Sequence, residues 1–353
     1  MCRVNALDAE GNGIKASTVE RAGRGPLFIV GLPRSGTKLI RDLLNRSPEI
    51  GIPVEESHFI PYFIAKFGAV PEPGNQMWRE RFMRDLRRTP FFQNYARAGR
   101  SVPDDLLAHP PLPEEWPAVF QRVLTHFVPE GRSPGYLWGD KTPGYLRHLD
   151  LLRGLYPAGR ALHIIRDPRE RCLSVRYAWG RSLLRAATSW RREMERGRRA
   201  ALEWGERYAE VRYEQLTSDP EEALRGVCRA LDLPYSPAML QLARPSENVG
   251  RARGHVGILS NNTQKYLTEL SPRAIRRIEE IVYPVALELG YPLHYASEEK
   301  PLGRLPLAAL RFHDGFAAWR YHVRDKGFGQ GTRYFYELHR VNSWHQGNPG
   351  DLR

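Results

Sequence analysis

The chain has 353 residues, 41% of them hydrophobic and 10% aromatic, enough to bury a full core in one large domain or two modest ones. No stretch approaches the roughly 18 consecutive apolar residues of a membrane-spanning helix, and three scattered cysteines (Cys2, Cys172, Cys228) argue against a disulfide framework or a cysteine metal site. The net charge of +13 invites a polyanionic partner. However, only 7 of the 53 basic residues are Lys, and Arg191-Arg192, Arg198-Arg199 and Arg276-Arg277 lie near Glu193, Glu195, Glu279 and Glu280, so they read as solvated helix faces.

Residues 1–24 lack the apolar centre of a signal peptide and read as a flexible polar lead-in. A first buried strand, Leu27 to Val30, runs into G-L-P-R-S-G-T-K (31–38). A helix from Thr37 to Asn45 follows, with Leu39, Ile40, Leu43 and Leu44 on one face. Residues 70–135 are punctuated by Pro103, Pro110, Pro111, Pro113 and Pro117 and rich in aromatics; they read as a mostly helical insertion that shapes a substrate pocket. Tyr136 to Trp138, Ala161 to Ile165 and Ala209 to Tyr213 are further short strands with the unalternating apolar character of a sheet covered on both faces. Helices are predicted from Pro220 to Leu231, behind the N-cap Asp219, and from Pro272 to about Leu289. This alternation predicts an α/β fold, a doubly wound parallel sheet spanning 25–297, followed by a helical C-terminal extension over 298–353.

The segment 31–38 has the glycine spacing of a nucleoside triphosphate loop, but Thr37 precedes Lys38 where a Walker loop has Lys before Ser/Thr. Backbone N–H groups at a strand-to-helix turn still form an anion nest. Arg34 adds a forked cationic donor, and Ser35 and Thr37 add hydroxyls. The magnesium-bridging Lys-Ser/Thr pair is missing and no strand ends in a lone Asp suited to a second magnesium contact, so anion binding without metal is the expectation. A second motif, R-D-P-R-E-R-C-L-S (166–174), puts Arg166 at a strand's carboxyl end and Ser174 on the following helix, where both can reach one phosphate. The plainer alternative is an ion-paired Arg166 with Asp167 capping the helix.

Together P-R-S-G-T-K (33–38) and R-D-P-R-E-R-C-L-S (166–174) resemble the signatures of the sulfotransferase family that uses 3′-phosphoadenosine 5′-phosphosulfate (PAPS). G-D-K-T-P (139–143) and V-R-Y-E-Q-L (211–216) resemble two further family segments, so that the likeness covers about residues 26 to 292 and points to a carbohydrate- or tyrosylprotein-type branch. The resemblance implies a P-loop-like phosphosulfate loop in which Arg34, Ser35, Gly36 and Thr37 cradle the donor, with Lys38 serving the same anion or solvated. It implies that Arg166 and Ser174 hold the 3′-phosphate and that Tyr213 lies near the nucleotide. Arg253, Ser260 and Lys265 fall in the segment 251–267 that closes over the cofactor. The product would be adenosine 3′,5′-bisphosphate, and no metal is implied.

Sulfuryl transfer to a hydroxyl requires a base. E-E-S-H-F (55–59) occupies the family's base segment: Glu56 matches best, with His58 and Glu55 as alternatives, and alternation in an extended segment points Glu55 away from Glu56. Lys141 is placed to approach the transferring group, or else to pair with Asp140. The expected acceptor is a hydroxyl of a sugar, lipid, natural product or tyrosine, with no nucleic-acid partner. Without leader or anchor, a soluble, bacterial, cytoplasmic enzyme with no stable membrane association is expected. The rivals are an ATP-dependent small-molecule kinase with a degenerate loop, which leaves Arg166 and Ser174 unexplained, and a basic nucleic-acid-binding module, which the tail (Arg320 to Tyr336, Trp344) favours weakly.

Overall fold

The computed structural model describes residues 25–247, 253–260 and 262–343. The predicted lead-in, residues 251, 252 and 261 of the cofactor-closing segment and the end of the tail with Trp344 lie outside the described residues. Strand β1 (Leu27–Gly31) and helix α1 (Thr37–Leu44) flank the glycine loop, and a two-residue strand β2 (Ile50–Gly51) follows. Helices α2 (Ile60–Phe67), α3 (Gln76–Arg88), α4 (Pro90–Arg97) and α5 (Trp116–His126) then separate β2 from β3 (Leu137–Lys141). A 3-10 turn and α6 (Leu149–Leu155) lead to β4 (Arg160–Ile165), α7 (Pro168–Trp179), α8 (Leu183–Trp204) and β5 (Tyr208–Arg212). The rest is helical: α9 (Tyr213–Ser218), α10 (Pro220–Ala230), the single turn α11 (Tyr266–Glu269), α12 (Pro272–Glu288), α13 (Arg304–Lys326) and α14 (Phe328–Ser343).

The strands form one parallel sheet in the order β2–β3–β1–β4–β5. β1 is apolar at every position because both its faces are covered. Phe28 and Val30 enter the core shared with α7, α8 and α12, whereas Leu27 and Ile29 enter the core under α1 and α10, the period-2 division of a pleated strand. The strands depart from the sequence expectation by single residues at several ends and more substantially at β3, at Tyr213 and at β2. β3 runs on through Gly139, Asp140 and Lys141, because these residues pair in register with Leu27, Phe28 and Ile29, and parallel pairing at the sheet centre outweighs their polar character. Tyr213 opens α9 instead of ending β5. The unpredicted β2 is too short to carry a periodic signal and exists through its pairing with Leu137 and Trp138.

The segment between β2 and β3 packs by aromatic contact. Trp78 stacks on Phe82 at 5.1 Å and Trp116 on Phe120 at 4.9 Å, and Phe59, Phe63, Phe82 and Phe120 are fully buried, each stabilising the fold by about 1.5–3 kcal/mol. Two buried carboxylates dock the α13–α14 hairpin on this body. Asp314 accepts from the Ser182 backbone N–H at 2.8 Å and from Arg185 at 2.9 Å, and Glu337 accepts from Arg88 at 3.0 Å and Arg340 at 2.6 Å. Desolvated charges persist only when partnered in this way.

Candidate active site

The carboxyl ends of β1, β3 and β4 and the turn after β5 lie at one edge of the parallel sheet. The chain leaves β1 toward β2 and leaves β4 toward β5, on opposite sides, so the crevice between these neighbouring strands is the topological switch point at which α/β sheets bind ligands. Residues from both loops line a cavity there that encloses about 580 Å³ of empty space, part of it open to solvent.

The loop after β1 is shaped by backbone geometry. Gly36, the N-cap of α1, has φ 98°, and a Cβ there would lie 2.4 Å from Tyr213 Cδ2, so only glycine permits Tyr213 to close against the turn. α1 has no side-chain cap and no acidic residue in its first turn, unlike α7, α8, α10 and α12, whose caps are Asp167, Ser182, Asp219 and Ser271. Its leading N–H groups and positive dipole end are thus left for an anion. Arg34 sits at φ 75°, a conformation a non-glycine residue holds only where surrounding contacts enforce it. One enforcing contact is the buried Arg171, which donates from Nε to the Pro33 carbonyl at 3.3 Å; burial pushes that guanidinium down to about 10. Ser35 and Thr37 are buried, and Lys38 is half-buried.

Arg34 reaches across the sheet, donating from Nε to Ser174 Oγ at 3.1 Å and from Nη1 to Glu247 at 2.6 Å. Ser174 is held in place because α7 is anchored by the buried Arg169, which bonds Asp167 at 2.6 Å and Glu279 of α12 at 2.8 Å. Arg166 donates to the Arg34 carbonyl at 3.0 Å, the Asn262 carbonyl at 3.1 Å and Glu170 at 3.3 Å, with its guanidinium 4.1 Å from the centroid of the Tyr213 ring. Its Nε is buried with no hydrogen-bond partner among the described residues. The Tyr213 hydroxyl accepts from Asn262 Nδ2 at 2.6 Å, and Lys265 bonds the same Asn262 side chain. Arg34, Gly36, Arg166, Ser174, Tyr213 and Lys265 thus surround one cavity. The plainer expectation for Arg166 is met as well: it is ion-paired with Glu170 at 3.3 Å, and Asp167 caps α7. Ser260 and Arg253 are exposed and neither lines the cavity.

A second cluster forms where E-E-S-H-F meets the end of β3. The Lys141 ammonium, fully buried, donates to Glu56 Oε1 at 2.5 Å, and His58 Nε2 lies 3.0 Å from Glu56 Oε2. Partial burial alone would raise the Glu56 carboxyl, but Lys141 and His58 outweigh it and hold it well below the usual carboxylate range. Burial pulls the Lys141 ammonium down, an effect that Glu56 opposes and the charges of Arg41 and Lys38 reinforce. His58 is held at φ 55°. Beneath it, Ser57 is bonded to Asp140 and to the Tyr145 hydroxyl at 2.6 Å, and its backbone N–H donates to Thr142 Oγ1 at 3.0 Å. Burial pushes Asp140 up to about 6 against the hydrogen bonds from Ser57 and Thr142. The predicted alternative pair of Lys141 with Asp140 does not form, because adjacent strand residues point to opposite faces. Glu55 turns instead to Asn94 of α4, whose Nδ2 lies 2.7 Å from Glu55 Oε2 and 3.3 Å from the Tyr334 hydroxyl of α14.

Asn262, Glu247, Asn94 and Tyr334 carry no motif of their own. Asn262 lies within the segment singled out for closing over the cofactor, and that placement was the only signal for it.

A protein-family model described as the sulfotransferase family matches residues 26–237. Protein-tyrosine sulfotransferase 1 of Danio rerio is 25% identical over 290 residues, covering 76% of this chain and 72% of that protein. Nodulation protein NoeE of Sinorhizobium fredii is 23% identical over 337 residues, covering 86% and 75%. A sulfotransferase domain from the curacin biosynthetic pathway superposes with a TM-score of 0.51 at 19% identity, covering 77% of this chain and 99% of that one, which shows a shared fold.

Proposed function

The chain belongs to the sulfotransferase family, and from that membership we propose that it moves a sulfuryl group from PAPS to an acceptor hydroxyl of a sugar, lipid, natural product or tyrosine. The observation that carries the choice of donor is the meeting of Arg34, Arg166 and Ser174 around one cavity beside an uncapped helix N-terminus. A donor with phosphates at both ends of its ribose needs two anion sites, and the residues fit both. Arg34, Ser35, Gly36, Thr37 and Lys38 would hold the phosphosulfate. Arg166, with its unpartnered buried Nε, would hold the 3′-phosphate with Ser174, while Tyr213 and Lys265 flank the nucleotide. Phosphate binding would compete with Glu247 for Arg34. The exposure of Ser260 and Arg253 favours neither as a direct contact.

In the proposed reaction Glu56 accepts the acceptor's hydroxyl proton as that oxygen bonds to sulfur and the bond from sulfur to the bridging phosphate oxygen breaks. The bond pair leaves on adenosine 3′,5′-bisphosphate. Arg34 and the loop N–H groups stabilise the charge growing on the leaving oxygen. A carboxylate held by a lysine is a weak base at rest. Lys141 resolves this as it turns its charge toward the sulfuryl oxygens, loosening its hold on Glu56 and raising that group's basicity as the proton arrives. His58, on the other carboxylate oxygen, can relay the proton outward. A thermal shift with adenosine 3′,5′-bisphosphate in the absence of magnesium tests the donor: stabilisation is expected, and stabilisation by ATP with magnesium alone would favour the kinase instead.

A further inference from the structure

Helix α13 is apolar on two opposite faces. Its inward face buries Ala317 and Ala318 beside the carboxylate of Asp314. Its outward face carries Leu305, Phe312 and Phe316, respectively 84%, 84% and 56% exposed. Ring contacts continue the patch from Phe316 to Trp319 at 5.6 Å and from Trp319 to Phe328 at 6.1 Å, and Phe328 is 71% exposed at the start of α14. A surface helix normally turns a single apolar stripe to the core, and contiguous exposed aromatics mark an interaction surface.

The charges around the patch decide what covers it. Arg304, Arg311, Arg320 and Arg324 of α13 are all exposed, and none makes an ion pair among the described residues. The carboxylates of α13 do not offset them: Asp314 is buried and paired with Arg185, and Asp325 is paired with Lys326. A second copy placed on this face would bring arginine against arginine with no free carboxylate between them. An anionic layer meets both features at once.

We propose that the outward face of α13 docks on an anionic lipid surface. Leu305, Phe312, Phe316 and Phe328 enter the boundary between headgroups and acyl chains, and the flanking arginines meet the headgroup phosphates. The net charge of +13 acts in the same direction. No helix among the described residues is long and apolar enough to cross a membrane, and none is needed, since the contact is peripheral. It differs from the expectation of no stable membrane association, and it stands independently of sulfuryl transfer.

The test is co-sedimentation of the full chain with vesicles of phosphatidylcholine alone and of phosphatidylcholine mixed with phosphatidylglycerol. Binding to the mixed vesicles is expected to be about tenfold or more tighter than to the neutral ones and to weaken as salt rises. Phe312→Glu with Phe316→Glu should abolish it, as those side chains are solvent-exposed and the fold, read by circular dichroism, should stand. Arg311→Gln with Arg320→Gln should weaken binding to the mixed vesicles about tenfold and reads the same surface if the first variant misfolds. Absence of binding by the unaltered chain, or binding by both variants equal to that of the unaltered chain, overturns the proposal. So does a dimer in gel filtration that the Phe312 and Phe316 substitutions dissociate without any vesicle binding, which would assign the face to a second copy.

Discussion

The buried Lys141 ammonium on β3 and the Glu56 carboxylate on the segment before α2 meet at 2.5 Å, 85 residues apart in the chain. Glu56 keeps 28% of its side-chain surface exposed while Lys141 keeps none. A cation is thus held at depth by a carboxylate that can still meet a substrate.

Replacing Glu56 by Gln keeps the shape and removes the proton acceptor. Turnover of any acceptor found by screening should fall by about 10²–10⁴-fold, with adenosine 3′,5′-bisphosphate affinity within a few-fold of the unaltered chain. Glu55→Gln should cost less than about tenfold, since Glu55 is engaged with Asn94. Equal losses in the two variants would remove Glu56 from its role.

The pH profile follows from the same pair. Because Lys141 and His58 outweigh the effect of burial and depress the folded-state carboxyl, the Glu56 contribution to stability is present above the ordinary carboxylate range and is lost only as pH falls through its lowered value. The acid limb of kcat/KM should therefore lie below that range. Lys141→Met should move the limb to higher pH as well as slow turnover, and an unmoved limb would show that Lys141 does not set the basicity of Glu56.

Arg166→Ala removes charge-assisted hydrogen bonds, each worth about 1.5–3 kcal/mol, and should weaken adenosine 3′,5′-bisphosphate by about 10–100-fold. Adenosine 5′-monophosphate, which lacks the 3′-phosphate, should lose little. Ser174→Ala should follow the same pattern more weakly. Calorimetry with both nucleotides on both variants checks this, and equal losses for the two nucleotides would detach Arg166 from the 3′-phosphate.

Gly36→Ala forces a side chain into φ 98° and against the Tyr213 ring. A loss of stability on the order of 1–3 kcal/mol is expected, seen as a lower melting temperature. Nucleotide-induced stabilisation should drop with it, because the loop and Tyr213 move together.

The local parts of this site were legible in the sequence because they are encoded locally. The spacing of Gly31 and Gly36, the apolar run before them and the position of Arg166 at a strand end each need only a few neighbouring residues to act. Alternation likewise separated Glu55 from Glu56. The destinations of those side chains were not legible. Arg34 finds Glu247 across 213 residues and Asn94 finds Tyr334 across 240, and such meetings depend on how helices stack, which no local periodicity records. Lys141 shows the same division. Its motif was readable, but its presence on a central strand, its pairing with Glu56 in place of Asp140 and its total burial were decided by the parallel register with β1. Sequence alone determined which groups could bind an anion; the packing of the sheet, the aromatic segment and the C-terminal hairpin decided which of them share a site.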